Sequence, residues 1–249
     1  MKYPKIILFD YGDTLLSEPN RDNRRGTDEL MKYASSNPHG RTADDLWRAT
    51  RIFFDDALLA ARTLDFDIGA QTLYRATCDY LGLQFSLTPS EVERTFWNAA
   101  TPGAVVPGAA EMLDALNAIK MRAAVLSNTC WSGETLLDRI TRLLPNHQFE
   151  FVMASSDYLY RKPHKMIFEI ALRKAGVAAE DAWYCGDRYD WDVCGALGAG
   201  IFPVWRNPDE KPGLRIDPKT GAETLCIREW SELLEALERL RARRGTEIA

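Results

Sequence analysis

The chain has 249 residues and a formal charge of −5, long enough to bury a large core without staples and acidic enough to argue against nucleic acid as a partner. Five cysteines and three histidines lie scattered with no CxxC pair, which argues against a disulfide framework and a structural zinc site. The continuous apolar run before Asp10 is only four residues long, too short for a signal peptide or a membrane span, so the expectation is a cytoplasmic protein with no membrane partner.

The apolar run Ile6-Ile7-Leu8-Phe9 ends in Asp10 and a Tyr11-Gly12 turn. It reads as a strand buried on both faces that delivers one acid to a sheet edge, where open α/β folds bind ligands. Residues 17–25 are polar, as in an exposed linker. Residues 27–100 are helical in pattern: a short helix around Asp28-Glu29-Leu30-Met31, a longer one capped at Thr42, a third over 70–81, and a fourth over 90–100 with Ser90 as N-cap and Glu93 three residues on. Trp47, Phe53, Phe54, Tyr74 and Phe96 are assigned to the core of this unit.

Beyond residue 100, apolar runs alternate with amphipathic helices. The spacing predicts helices over 109–119, 133–144, 165–175 and 190–197, and a closing helix from 231 whose basic end, residues 239–244, suits the negative end of the helix dipole. Strands are predicted over 123–126, 151–154, 183–185, 201–204 and 225–227, with a turn-rich segment over 207–224. The fold class is therefore α/β, a Rossmann-like parallel sheet with helices on both faces, built from residues 1–16 and 101–249, with an all-helical cap domain inserted over 17–100.

Polar groups recur at or just after strand ends: Asp10, Ser127-Asn128, Lys162 before Pro163, and Asp187 after Gly186, with Asp192 five residues on. Each alone reads as a turn former, a solvated lysine or a helix-start acid; along a parallel sheet they converge on one edge. Phosphoryl transfer to a carboxylate nucleophile fits that set. A phosphate monoester resists an anionic attacker until its charge is neutralised, and Mg²⁺ between Asp10 and Asp187 would neutralise it. The Ser127 hydroxyl, nearby backbone N–H groups and the Lys162 ammonium would donate to the phosphate oxygens. Trp131 and Arg188 are candidates for the entrance, Arg161 reads as solvated, and His164 as a first-turn helix residue.

The segments Phe9-Asp10-Tyr11-Gly12-Asp13-Thr14-Leu15, Leu126-Ser127-Asn128, Arg161-Lys162-Pro163, and Cys185-Gly186-Asp187 with Asp192 and Gly195-Ala196 resemble, in order, the four motifs of the haloacid dehalogenase-like hydrolase superfamily. The helical segment 17–100 is similar to that family's small cap. The resemblance implies Asp10 as nucleophile; Asp10, the Gly12 carbonyl and Asp187 around Mg²⁺, with Asp192 beside the metal or the lysine; and Ser127, Asn128 and Lys162 as phosphate ligands. It also implies a Mg²⁺-dependent phosphatase acting on a small phosphorylated metabolite through an aspartyl-phosphate; a monomer and a homodimer are both compatible with the sequence.

One position departs from the pattern. Phosphatases of the family usually carry a second Asp two residues after the nucleophile, as acid and base; here that residue is Gly12, and Asp13 beside it looks transposed. Two other readings accommodate Gly12: a 2-haloacid dehalogenase, which has no need of a metal-ligating Asp187, and a catalytically weak binding or regulatory protein.

Overall fold

The strand that carries Asp10 is buried at every position, and its side chains alternate between two cores. In β1 (Ile6–Phe9), Ile7 and Phe9 face one apolar cluster, and Ile6 and Leu8 face the other. That is the pattern of a central strand with helices on both sides, and each such side chain contributes about 1.5–3 kcal/mol by leaving water.

The computed structural model describes residues 1–218 and 220–247, with side chains through residue 243. After β1 come β2 (Leu16–Ser17), α1 (Asn23–Met31), β3 (Ala34–Ser36), α2 (Ala43–Arg51), a π-helical stretch (Ile52–Leu58), α3 (Leu59–Arg62), α4 (Ala70–Leu81), β4 (Gln84–Phe85), α5 (Pro89–Ala100) and β5 (Ala104–Val105). Next are α6 (Ala109–Ala118), β6 (Arg122–Ser127), α7 (Gly133–Leu143), β7 (Phe149–Ala154), α8 (Ser155–Tyr158), α9 (Lys165–Ala175) and β8 (Ala182–Gly186). A second π-helical turn (Tyr189–Val193), α10 (Cys194–Gly198), β9 (Phe202–Arg206), β10 (Gly213–Ile216), β11 (Glu223–Ile227) and α11 (Trp230–Glu247) complete the chain.

The main sheet has seven strands in the order β10-β11-β9-β8-β1-β6-β7, parallel except for the β10–β11 pair. Helices α6, α7 and α11 cover the Ile7 and Phe9 face, and α9 and α10 cover the Ile6 and Leu8 face. From β1 the chain builds outward one way through β6 and β7 and the other way through β8, β9 and β11, so the order reverses beside β1. Such a switch point opens a crevice at the carboxyl ends of the strands.

Several local readings change. The stretch assigned to an exposed linker already contains the start of α1, with Asp22 as N-cap accepting from the N–H groups of Arg24 and Arg25. The helical segment is interrupted by an antiparallel pair, β3 with β4. The fourth helix begins earlier than Ser90: Pro89 occupies its first turn, Thr88 is the N-cap, and Thr88 and Glu91 form the capping box. Glu93 is fully buried instead. Thr42 caps α2 as expected, reciprocally with Asp45. The segment 207–224 holds β10, a short edge strand whose Leu214 and Ile216 point into solvent; exposed apolar residues in a four-residue run carry no strand-face signal. Of the basic run 239–244, the side chain of residue 244 lies outside the described residues.

Helices α1 and α5 approach without a side chain between them at Gly26, where an added Cβ would lie 2.8 Å from the Phe96 carbonyl oxygen and from its ring Cδ2. Gly26→Ala gains up to about 1 kcal/mol in helix propensity against about 1–3 kcal/mol for overpacking. The expected outcome is a lower urea midpoint with an unchanged slope; a stabilised variant would show that this contact is slack.

Candidate active site

Because β1 lies between β6 and β8 with Phe9 opposite both Val125 and Cys185, the residues that follow these strands leave the sheet together. Asp10 remains tied to the ladder through its N–H, which donates to the Cys185 carbonyl at 2.8 Å. Ser127 ends β6, and Asp187 follows β8. Lys162 arrives from the loop between α8 and α9. The Asn128 side chain holds it there, accepting from the Lys162 N–H at 2.7 Å and donating to the Lys162 carbonyl at 2.8 Å.

The Lys162 ammonium is 1% exposed. It lies 2.9 Å from Asp10 Oδ1, 2.6 Å from Asp192 Oδ1, and 2.6 Å from the Tyr184 hydroxyl, to which it donates. The Tyr184 hydroxyl in turn donates to the Leu126 carbonyl at 2.8 Å. Burial works against the charged lysine, but Asp10 and Asp192 outweigh it and its pKa is raised. The other oxygen of Asp192 accepts from the Arg188 N–H at 2.9 Å. Gly186 makes this possible, since an added Cβ there would collide with the Asp192 carboxylate.

Three carboxylates face this one ammonium. Asp10, Asp187 and Asp192 each present an oxygen within 4.8 Å of the others. Burial raises the pKa of Asp10, an effect that Lys162 opposes and Asp192 reinforces. Burial, and then the negative charge of Asp10 and Asp192, push Asp187 up to about 7. Asp10 Oδ1 is buried against the Lys162 ammonium. Surplus negative charge on hard oxygen donors suits a small divalent cation. Asp10 and Asp187 are the acids available to it, because both Asp192 oxygens already have donors.

A cavity of about 640 Å³ opens over this cluster, lined by Asp10, Gly12, Asp13, Ser127, Asn128, Lys162 and Asp187 from the sheet side, and by Trp47, Phe54, Tyr74 and Phe96 from the helical segment. Asp192 lies behind Lys162 rather than on this wall. Trp131 and Arg188 line the cavity as expected. Asp13 is exposed, in the left-handed region at φ 50°; its carbonyl accepts from Arg206 Nη1 at 3.2 Å. His164 caps α9, its Nδ1 accepting from the Met166 N–H at 3.1 Å. Arg161, read as solvated, is buried over the Trp191 ring at 5.3 Å.

Sequence reasoning missed several contributors. Tyr184 sits inside an apolar strand, where a phenol reads as core. Glu18 and Arg21 fall in the supposed linker but line the cavity, and Glu18 accepts from Trp97 Nε1 at 2.7 Å. Trp205 Nε1 holds the Asp187 carbonyl at 2.9 Å. Among the core assignments, Phe53 does not line the cavity, whereas Trp47, Phe54, Tyr74 and Phe96 form its wall.

The family model for haloacid dehalogenase-like hydrolases matches residues 95–205. A glyceraldehyde 3-phosphate phosphatase of Pyrococcus furiosus is 30% identical, over 96% of this chain and 95% of that one. Among solved structures, a 2-haloacid dehalogenase from Pseudomonas syringae is 22% identical with a TM-score of 0.61, over 95% of this chain and 99% of that one. A phosphatase from Thermococcus onnurineus is also 22% identical, with a TM-score of 0.58, over 95% and 98%; at this identity both structures speak for the fold alone. The full-length similarity to the Pyrococcus protein, together with the ordered motifs gathered around Asp10, makes this chain a member of the haloacid dehalogenase-like hydrolase family.

Proposed function

We propose that the protein is a Mg²⁺-dependent phosphatase of small phosphorylated metabolites that works through an aspartyl-phosphate on Asp10. The observation that carries this reading is the gathering of Asp10, Asp187 and a buried Lys162 at the carboxyl end of β1, with negative charge in excess. A dehalogenase has no use for Asp187 beside the nucleophile, and the phosphatase named above supports the phosphate reading.

Asp10 attacks the phosphorus, the bond from phosphorus to the ester oxygen breaks, and the leaving oxygen takes a proton. Water then attacks the phosphorus of the aspartyl-phosphate, freeing inorganic phosphate and restoring Asp10. Lys162 keeps its positive charge beside Asp10, orients that carboxylate, and offsets charge on the transferring group. Asp192 and Tyr184 fix the ammonium, and Asn128 fixes the backbone that carries it; these are positioning residues. Ser127 and nearby backbone N–H groups would hold the phosphate oxygens. Held by Asp10, Asp187 and the Gly12 carbonyl, Mg²⁺ would supply charge neutralisation.

Of the other carboxylates lining the cavity, Glu18 and Asp55 are paired with Arg21 and Arg51, which makes Asp13 the candidate proton donor to the leaving group. General acid–base assistance is worth roughly 10²–10⁴-fold, so Asp13→Asn should lower kcat by that order if Asp13 supplies it. Gly12 offers a cross-check, because nothing lies within 4 Å of an added Cβ there and its φ is not positive. Gly12→Asp should fold normally and raise kcat in the Asp13→Asn background; an Asp13→Asn enzyme with wild-type kcat would remove Asp13 from the mechanism.

The reading as a whole is checked by phosphate release from aryl and metabolite phosphates with Mg²⁺ and with chelator. Turnover should need the metal and fall by more than about 10³-fold in Asp10→Asn. Activity that survives either change would sink the mechanism.

A further inference from the structure

The aromatic lining of the cavity is unlike that of a site for a short polar phosphate. Phe54, Tyr74, Phe96 and Trp131 form a chain of ring contacts, with centroids 5.6 Å, 5.8 Å and 5.6 Å apart in that order. This aromatic wall runs from the helical segment to the loop after Ser127, and all four rings line the cavity. Flat apolar faces of this kind take another flat ring by stacking or edge contact.

Two hydroxyls interrupt the wall. Thr50 Oγ1 and the Tyr74 hydroxyl are buried, line the same cavity, and have no hydrogen-bond partner; the two residues are 8% and 4% exposed. Buried polar groups are normally satisfied, and a Val or a Phe would fill either place without that cost, so the two hydroxyls point to a partner that arrives with the ligand. Their charged neighbours argue against an acidic partner. The cavity-lining arginines of the helical side are already matched: Arg21 with Glu18 at 2.8 Å, Arg51 with Asp55 at 2.6 Å and Arg62 with Asp67 at 3.1 Å. A carboxylate or second phosphate reaching these three arginines would compete with the acid that each already holds.

Size agrees. The cavity of about 640 Å³ lies within the range of about 300–1,000 Å³ found for sites that enclose ligands larger than a three-carbon phosphate.

We infer that the substrate is a phosphate monoester whose leaving group carries an uncharged flat ring with hydrogen-bonding atoms, of the size and chemistry of a nucleoside, seated against Tyr74 and Phe54 and bonded by the Tyr74 and Thr50 hydroxyls. This inference rests on the phosphatase reading and narrows it.

The test is kcat/KM for uridine 5′-monophosphate, phenyl phosphate, glyceraldehyde 3-phosphate and phosphoserine, in the wild type and in Tyr74→Phe and Thr50→Val. The nucleotide should exceed both ring-less esters by roughly tenfold or more. Phenyl phosphate separates the ring from its polar atoms, so Tyr74→Phe should lower the nucleotide value by roughly tenfold more than the phenyl phosphate value, with the change in KM. Tyr74→Phe and Thr50→Val remove hydroxyls that bond nothing in the free protein, which keeps folding out of the result. Ring-less esters turned over best, or equal losses on nucleotide and phenyl phosphate, would overturn the inference and leave the phosphatase reading standing. No metal-dependent turnover of any ester would overturn both.

Discussion

The site depends on one buried ammonium. Lys162 is almost fully enclosed, and a lysine so placed without partners would give up its proton. Asp10 and Asp192 keep it charged. The arrangement is steep on both sides: removing either carboxylate strands a buried charge, and a buried pair left with one partner is far costlier than none. Around it, Asn128, Tyr184, the Arg188 N–H and the bare Cα of Gly186 have a common effect, holding ammonium and carboxylates in one geometry. The remaining imbalance, one cation against three acids, leaves surplus charge on hard oxygen donors, and the proposed metal site rests on it.

The helical segment is anchored to the sheet layer by buried polar contacts rather than by apolar surface alone. Among the described residues no cation pairs with Glu93 of α5. It accepts from the Ser132 N–H at 3.2 Å, from the Ser132 hydroxyl and from the Thr135 hydroxyl at 2.8 Å, so its charge meets the N-terminus of α7, where unsatisfied N–H groups and the helix dipole favour an anion. On the opposite rim, Asp67 takes Arg62 Nε and the Ser155 hydroxyl. Glu93 and Asp67, two carboxylates of the helical segment, are thus both bound by groups of the sheet layer.

Much of this was legible in the residue order. The run Ile6-Ile7-Leu8-Phe9 could only be satisfied between two cores, and a parallel strand so buried must deliver the next residue to the ligand edge. Asp10, Ser127, Lys162 and Asp187 line one cavity because each follows or faces such an end. Tyr184 was invisible, since a strand read by its apolar run says nothing about a hydroxyl lying along it. Thr50 and Tyr74 were hidden for a related reason: helical periodicity marks an inward face but does not distinguish core from cavity. The cap of α5 failed by degeneracy. Thr88 with Glu91 and Ser90 with Glu93 have the same spacing, and Pro89, which favours the first helical position, was the residue that decided between them.

Two glycines in the motifs separate space from chemistry. Gly186 has no alternative, because the Asp192 carboxylate occupies the volume a Cβ would need. At Gly12 the backbone is compatible with any residue and the space beyond it is open, so nothing in the packing requires glycine there. An acid at that position would stand next to the nucleophile and add a further negative charge to a pocket that already has three carboxylates for one ammonium. Leaving the position bare keeps that charge out, and under the proposed mechanism a substitution there is expected to show in kinetics rather than in folding.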